Sequence, residues 1–432
     1  MVSLRRITLP TILLAVAARS SHSGYSFTDS DNADCNQRCF TTEVSAWQTV
    51  KGPVWLSTSP RDHLIRPALS AVNGSAWEQW YFDLVSSTGD QSMGLCVSRD
   101  PSYKMFGKGI LRVEFFVALS NGTIIGSTDF VDSSLVRECC GEVRGEWASN
   151  DRSYSFRVSK DFSRAEAEFN RPDMSGTFSL SAIAKPRYSD GSMWPSDTAN
   201  HEVSPLLHIT EPMPAGDARV SFTLAGASEP ITWSGIGGHN RIWSSLDWFS
   251  IVRGWHNGRA RVGPYVISLF EDVSKIDGQT YQGSVLFKDG EPVLQSKLRG
   301  PHSESKDEDH HLITRRYGGK VHSHWGDTST GWTLDFVSPS RGKHWRFELE
   351  HHTLAFEVDL GPNKGLGGFT DIVSGGEVGG EQYGGGVGVS EQVFLPEAMS
   401  IRLMLGLAWQ VIATSDTNLL KSIWQIATAV FK

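Results

Sequence analysis

Apolar and polar residues alternate one by one along most of this 432-residue chain. The alternation is clearest at residues 111–119 (LRVEFFVAL) and 176–183 (GTFSLSAI), and it continues through the second half. Successive side chains of a β-strand point to opposite faces, so this period predicts strands that bury one face. Turn-forming pairs such as Asn257-Gly258 separate the alternating segments. The chain is therefore predicted to be an all-β protein of antiparallel strands.

The length is too great for one ordinary hydrophobic core and indicates two domains. The segment EPMPAG at residues 211–216 has the composition of a rigid, exposed linker. We therefore predict an N-terminal β-sandwich or barrel domain at 21–214 and a C-terminal barrel domain at 215–432, which ends in a helix. A glycine-rich segment at 365–388 is interpreted either as a flexible lid or as a disordered turn.

The first twenty residues have the pattern of a secretory signal peptide. Arg5 and Arg6 precede an apolar run at residues 7–18, and small residues follow it. The run is too short to cross a hydrocarbon layer of ~30 Å. The alternative, a buried N-terminal helix, is disfavoured because Pro10 interrupts the run early. Residues 1–20 are thus predicted to be removed, and the mature chain is predicted to lie in the secretory pathway.

Cysteines and glycosylation sequons agree with an oxidising lumen. The sequence has five cysteines, namely Cys35, Cys39, Cys96, Cys139 and Cys140. An odd number leaves at least one free thiol, and the sequence does not give the disulfide connectivity. Zinc binding is disfavoured, because Cys35 and Cys39 are four positions apart, no CxxC motif follows them, and no histidines at finger spacing are present. The sequons at Asn73 and Asn121 lie in turn-like segments and predict N-glycosylation.

Charge and motifs exclude several classes of function. The chain has 48 acidic and 40 basic residues, and this net charge of −8 offers no surface for nucleic acid. It lacks a GxSxG elbow, a P-loop, an HExxH motif and a dinucleotide fingerprint after a strand. His322 and His324 would share one face of a strand near Asp327, but a third convincing ligand is missing. We therefore predict no metal site.

Two aromatic segments combine large rings with polar groups. In the first, WEQWYFD at 77–83, alternation places Glu78, Trp80 and Phe82 on one face and Asp83 on the other. Both faces carry aromatic rings and an acid, so the strand is predicted to be covered on both sides. A buried acid then needs a partner or a ligand.

The second segment, at residues 231–243, has glycines ahead of His239, Arg241 and Trp243. Glycines allow sharp bends that bring polar groups against an aromatic wall. One interpretation of both segments is a pocket, and the other is an aromatic core with an internal ion pair such as Asp83–Arg241.

At these residues the chain resembles the fungal lipocalin-like Diels–Alderases, which are related more distantly to carotenoid 1,2-hydratases. The resemblance rests on WEQWYFD at 77–83, on TWSGIGGHNRIW at 232–243, and on VGPY at 262–265, in this order and spacing. It implies two lipocalin-like barrels around an apolar pocket, no metal or organic cofactor, and small polyketide or terpenoid substrates. From the charge and the short apolar run we expect no nucleic-acid partner and no membrane span in the mature chain, and the oligomeric state is left open.

The secretory features resemble the branch of hetero-Diels–Alderases of tropolone–sesquiterpene biosynthesis. That branch would join an o-quinone methide to an alkene of a humulene-type sesquiterpene and form a dihydropyran. The alternatives are an intramolecular decalin-forming enzyme, a hydratase or isomerase of the same superfamily, and a non-catalytic carrier.

The resemblance also suggests roles for the residues of the two aromatic segments. His239 and Arg241 would polarise a carbonyl, and Glu78 or Asp83 would act as the acid–base group. Six aromatic residues would bind the substrate, namely Trp80, Phe82, Trp233, Trp243, Trp248 and Tyr265.

Overall fold

A computed structural model of the chain describes residues 30–31, 38–139, 142–296 and 307–397. Within these ranges almost all regular structure is β-strand, and every pairing between strands is antiparallel. The prediction of an all-β fold is confirmed. The predicted signal peptide at 1–20 and the predicted C-terminal helix beyond residue 397 lie outside the described residues, as do Cys35 and Cys140.

The first sheet is formed by the strands up to residue 244. They are β1 (Ser30–Asp31), β2 (Arg38–Ser45), β3 (Trp77–Ser86), β4 (Ser92–Arg99), β5 (Leu111–Ala118), β6 (Ile124–Phe130), β7 (Ser133–Cys139), β8 (Glu142–Ala148), β9 (Ser153–Ser159), β10 (Arg164–Asn170), β11 (Met174–Ala182), β12 (Arg187–Tyr188), β13 (Glu202–Ser204), β14 (Leu207–Leu224) and β15 (Ile231–Ser244). Their order in the sheet is β1-β2-β7-β8-β9-β10-β11-β14-β15-β3-β4-β5-β6, with β12 and β13 also paired to β14. A short 3₁₀ helix, Pro101–Phe106, lies between β4 and β5.

The second sheet begins after a four-residue helix, α1 (Trp248–Ile251). Its strands are β16 (Val252–Val262), β17 (Tyr265–Ser274), β18 (Thr280–Gln282), β19 (Val285–Lys288), β20 (Glu291–Gln295), β21 (His310–Arg316), β22 (Gly331–Ser338), β23 (Lys343–Gly361), β24 (Lys364–Glu377) and β25 (Gln382–Phe394). They run in the order β20-β19-β17-β16-β25-β24-β23-β22-β21, with β18 also paired to β17, and a 3₁₀ helix at Pro339–Arg341 precedes β23.

Each sheet curls around its own hydrophobic core. In the first sheet, Val44 on β2, Phe115 on β5 and Phe222 on β14 belong to one buried cluster, although their strands lie far apart in the sheet order. In the second sheet, Tyr265 on β17 packs with Phe347 on β23 in a second cluster. The two barrel-like sheets agree with the predicted fold class.

The predicted linker at residues 211–216 is wrong. This segment is the buried middle of β14, where Met213 and Ala215 are fully buried. The pairing of β14 with β15 shifts register on both sides of Met213, and such irregularities accommodate prolines that cannot donate ladder hydrogen bonds. The chain passes from the first sheet to the second at residues 245–251 instead.

Two glycine-containing segments of the second sheet form strands rather than the turns or loops that were predicted. The pair Asn257-Gly258 lies inside β16 rather than in a turn, and a Cβ on Gly258 would lie 2.9 Å from the carbonyl oxygen of Val389. The segment 365–388 forms most of the β24–β25 hairpin and is neither a lid nor a disordered turn. Its glycines provide room for packing, since a Cβ on Gly365 would lie 2.5 Å from the ring of Trp325.

One disulfide is present in the described part of the chain. It joins Cys39 on β2 to Cys139 on β7, across 100 positions of sequence. The predicted disulfide is thus confirmed, while Cys96 is a buried free thiol. The two sequons differ in surroundings: Asn121 is exposed at a turn, whereas Asn73 donates a hydrogen bond from Nδ2 to the carbonyl of Gly52 at 2.9 Å.

No helix in the described ranges is long and apolar enough to cross a membrane.

A candidate active site between the two sheets

The two sheets meet along β3 and β15 of the first and β16 and β25 of the second, and they leave a narrow cleft between them. The cleft is nearly closed: its cavity volume is about 20 Å³, which is room for about one water molecule, so its walls must move apart before a larger molecule can enter. It is lined by Tyr81, Asp83, Leu84, Ser92, Met93, Phe116, Asn257, Gly258, Ala355, Phe356, Phe369, Val389, Ser390 and Glu391. As the alternation on β3 predicts, Trp80 and Phe82 point the other way, into the core of the first sheet.

An ion pair between Asp83 and Arg259 bridges the two sheets beside the cleft. Arg259 Nε lies 2.5 Å from Asp83 Oδ1, and both side chains are buried. The same guanidinium donates to the carbonyl oxygens of Met213, at 3.2 Å, and Pro214. Gly238 on β15 is the pairing partner of Asp83 on β3, and a Cβ on Gly238 would lie 1.7 Å from Arg259 Nη1. Burial raises the pKa of Asp83, although the charge of Arg259 opposes this shift.

Glu391 on β25 supplies a second carboxyl group to the cleft. Burial raises its pKa to about 7, and the nearby carboxylates of Asp83 and Glu114 add to the shift, whereas hydrogen bonds from Trp255 and Asn257 oppose it. The pairing of β16 with β25 places Glu391 directly opposite Asn257. A substantial fraction of Glu391 is therefore protonated at neutral pH and can donate a hydrogen bond or a proton.

Tyr81 on β3 adds a phenol to the same cleft. Burial raises its pKa well above the ordinary value, and the carboxylates of Asp83 and Glu391 contribute to this shift. The hydroxyl therefore stays protonated at neutral pH. It makes no hydrogen bond to another described residue, so its proton is available to a ligand in the cleft.

Glu78, a predicted acid–base residue, instead lies in the core of the first sheet. Its Oε2 accepts hydrogen bonds from Arg241 Nη2 at 2.7 Å and from the backbone N–H of Ala68 at 2.9 Å. Its Oε1 accepts from Arg99 Nη1 at 3.3 Å. The suggested Asp83–Arg241 pair is therefore wrong, because these two residues point to opposite faces of the sheet and have separate partners. In this arrangement the carboxylate of Glu78 balances the charge of Arg99 and Arg241 inside the core.

His239 is also in the core rather than in the cleft. Its ring stacks on Phe82 with centroids 4.0 Å apart, and its Nδ1 lies 3.0 Å from the carbonyl oxygen of Tyr81. A carbonyl only accepts, so Nδ1 carries the proton and Nε2 is left as an acceptor. Burial lowers the pKa of His239 to about 3, which keeps the ring neutral. In this geometry His239 cannot polarise a carbonyl by donating a hydrogen bond.

The six aromatic residues predicted to bind substrate do not surround one pocket. Trp80 and Phe82 are buried in the core of the first sheet, and Tyr265 is buried in the core of the second. Trp248 stacks on Trp77 at 4.1 Å, at the junction of the sheets. The other two are Trp233, packed against the edge of the first core, and Trp243, which stacks on His208.

Of all the predicted site residues, only Asp83 lines the cleft. Sequence reasoning missed Tyr81 and Glu391 as site residues. The alternation on β3 could have identified Tyr81, since it shares a face with Asp83. Glu391 has no local signal, because only the pairing of distant strands brings it to the site.

The histidines that could suggest a metal site do not lie on the strand that the sequence predicted. His322 and His324 lie in a loop rather than on a strand, and His324 Nδ1 lies 3.0 Å from Glu357 Oε2. Within the ranges that the structure covers, no group of three or more His, Cys, Asp or Glu residues could hold a metal ion.

Two curled antiparallel sheets with a partly apolar cleft between them define a lipocalin-like fold, in which such a cleft is the usual place for a small-molecule ligand. A family model described as Diels-Alderase-like matches residues 36–396. The chain is 37% identical over 403 residues to Diels-Alderase mycB of Thermothelomyces thermophilus, which covers 89% of this chain and 90% of that protein. It is also 38% identical over 371 residues to hexane cyclase pydB of an Acremonium species, which covers 84% of each.

The chain therefore belongs to the Diels-Alderase-like family and is an enzyme with pericyclase activity, as the resemblance predicted. The crystal structure of CghA has the same fold, with a TM-score of 0.73, 24% identity, and coverage of 83% of this chain and 100% of that one.

Proposed function

We propose that the chain catalyses a [4+2] cycloaddition inside the cleft between its two sheets. The observation that carries the proposal is the placement of apolar side chains together with two hydrogen-bond donors, Tyr81 and partly protonated Glu391, along one cleft between the sheets. A cycloaddition needs no nucleophile, and enclosing diene and dienophile together removes much of the entropic barrier. A hydrogen bond to a carbonyl of the substrate lowers the barrier further.

The residues that line the cleft would have different roles in the reaction. Tyr81 and Glu391 would donate hydrogen bonds to a carbonyl oxygen of the substrate, while Met93 and Phe369 would contact its apolar carbon chain. The Asp83–Arg259 pair would hold the two sheets at the spacing that this pose requires.

In its finer form, the reaction would join the o-quinone methide of a tropolone or polyketide to an alkene of a humulene-type sesquiterpene, with a dihydropyran as product. Such a methide forms when a benzylic-type alcohol loses water. Glu391 supports this form, because a carboxyl with a pKa of about 7 can protonate the departing hydroxyl at neutral pH. The neighbouring enol O–H of the substrate then releases a proton, which restores the carboxyl group.

A second candidate is intramolecular closure of a carbon ring, such as a decalin. It is favoured by the relative named hexane cyclase pydB, at 38% identity. This reaction loses no water, so Glu391 would act only as a hydrogen-bond donor.

The two reactions are separated by incubating the purified protein with each type of substrate. One assay would contain a quinone-methide precursor with humulene, and the other a linear polyene that carries both diene and dienophile. A faster reaction to one stereoisomer supports the corresponding cycloaddition. Product ratios equal to those without protein in both assays would refute the proposal. Addition of water would indicate a hydratase, and binding without acceleration would indicate a carrier.

We also propose that the enzyme acts in the lumen of the secretory pathway. The Cys39–Cys139 disulfide supports this, because disulfides persist in oxidising compartments. Asn121 is exposed and available for glycosylation. Treatment with an N-glycosidase should increase the electrophoretic mobility of the native protein, and Asn121→Gln should reduce this change. An unglycosylated protein in the cytosolic fraction would contradict the proposal.

A further inference from the structure

Two phenylalanine rings, one from each sheet, meet at the cleft. Phe116 on β5 and Phe356 on β23 both line it, and their ring centroids lie 4.9 Å apart. Both side chains keep part of their surface exposed, whereas Phe369 and Ala355 in the same cleft are buried. Tyr81, Val389 and Glu391 are also partly exposed, so the pair is one of several parts of the cleft wall that reach solvent.

Each ring lies over a glycine of the neighbouring strand. Phe116 pairs with Gly94 on β4, and a Cβ on Gly94 would lie 2.1 Å from Phe116 Cε1. Phe356 pairs with Gly368 on β24, where a Cβ would also lie 2.1 Å from the ring. In both sheets the ring therefore packs directly on the glycine opposite to it.

The rest of the cleft wall is harder to move. Tyr81 and Glu391 lie on strands paired on both sides, and Asp83 is bound to Arg259 across the sheets. Moving these residues would break ladder hydrogen bonds or a buried ion pair. Rotation of the two phenylalanine rings breaks their mutual contact and their packing on Gly94 and Gly368, but it breaks no ladder hydrogen bond and no ion pair. An opening at Phe116 and Phe356 therefore requires side-chain rotation alone.

We infer that Phe116 and Phe356 form a gate that admits substrate to the cleft and selects apolar molecules by their bulk. The inference rests on the proposed function of the cleft, since it assumes that the reaction occurs there. It goes further in assigning substrate selection to two residues that are not part of the ion pair. Smaller side chains at the gate should admit larger substrates, and larger ones should exclude them.

The gate can be tested without any cycloaddition. The association rate of the neutral fluorescent probe N-phenyl-1-naphthylamine would be measured by stopped flow in wild type, Phe116→Ala, Phe356→Ala, Phe116→Trp and Phe356→Trp. Loss of one aromatic pair should raise the rate about two- to tenfold in the alanine variants. The tryptophan variants should lower it. Because the two substitutions act in opposite directions, general destabilisation cannot produce both results.

Phe130→Ala is the matched control. Phe130 is a partly buried ring on β6 that contacts Tyr103 at 5.7 Å and does not line the cleft, so its removal should leave the rate unchanged. Equal rates in all gate variants would overturn the inference, as would absence of probe binding in every variant. If the rates change as expected but no substrate reacts, the gate stands and the proposed cycloaddition fails. If wild type forms product while probe rates stay equal, only the gate is refuted.

Discussion

Asp83 and Arg259 join the two sheets through a buried contact of 2.5 Å beside the cleft. The first sheet supplies the carboxylate, and the second supplies the guanidinium. A second inter-sheet pair, Asp217–Arg261 at 2.8 Å, lies on the exposed surface. The two pairs have the same chemistry in different surroundings, so comparing them separates the effect of burial from that of charge.

Replacing Asp83 by Asn should destabilise the fold by about 3–5 kcal/mol, because Arg259 would remain buried without its counter-charge. Asp217→Asn should cost less than about 1 kcal/mol, as expected for an exposed pair. Urea unfolding of both variants checks this prediction. Equal losses in the two would show that Asp83 and Arg259 contribute no more than a surface pair.

Glu391 should make the reaction rate depend on pH. Its carboxyl group can donate only when protonated, so the rate should fall as the pH rises above about 7, the raised pKa of this residue. Glu391→Gln keeps an N–H donor that does not titrate and should give a flatter profile. The measurement is the single-turnover rate between pH 5 and 9. A wild-type profile without inflection near pH 7 would contradict the prediction.

The free energy of unfolding should also depend on pH through Glu391, and the direction of this dependence follows from its raised pKa. The folded state holds the proton of Glu391 up to a pH of about 7, whereas a glutamate of the unfolded chain loses it near 4.5. The folded state binds more protons in this window, so the free energy of unfolding should decrease as the pH rises from about 4.5 to about 7. Glu391→Gln should weaken that decrease.

Asp272 provides the control for this experiment. Burial raises its pKa to about 7 as well, but it lies next to Ser204 and does not line the cleft. Asp272→Asn should therefore change the pH dependence of stability and leave that of the rate unchanged. A change in the rate profile of Asp272→Asn would show that the rate inflection reports stability rather than proton donation.

Local patterns predicted the strands and the two faces of β3, but they did not predict what each face contacts. Alternation separates Trp80 from Asp83 because successive side chains of a strand point to opposite sides. The partner of Asp83 lies 176 positions away in sequence, since Arg259 is on β16 (259 − 83). Glu391 reaches the cleft through the pairing of β16 with β25. No local motif reports such a register.

The linker predicted at residues 211–216 was wrong for the same reason, because contacts with distant strands decide its structure. The prolines in EPMPAG are typical of an exposed turn, but the carbonyls of Met213 and Pro214 accept hydrogen bonds from Arg259. Those bonds form only when the second sheet is in place. A sequence pattern predicts backbone preference, while tertiary contacts decide whether an irregular segment is buried.

Tyr81→Phe should lower the cycloaddition rate about tenfold, which corresponds to the loss of one hydrogen bond of about 1.4 kcal/mol in the transition state. Stability should change little, because the hydroxyl has no partner among the described residues. The variant would be compared with wild type by single-turnover kinetics and by thermal unfolding. An unchanged rate would remove Tyr81 from the proposed chemistry.

Glu78→Gln should destabilise the protein by several kcal/mol without changing the chemistry of the folded fraction. The carboxylate neutralises part of the charge of Arg99 and Arg241, and the three side chains are almost completely buried. Removing it leaves two buried guanidinium groups without this carboxylate, which costs about 3–5 kcal/mol. The rate per folded molecule, measured at a temperature where the variant remains folded, should equal that of wild type. A pronounced loss of this rate with stability intact would instead support the catalytic role that the sequence suggested for Glu78.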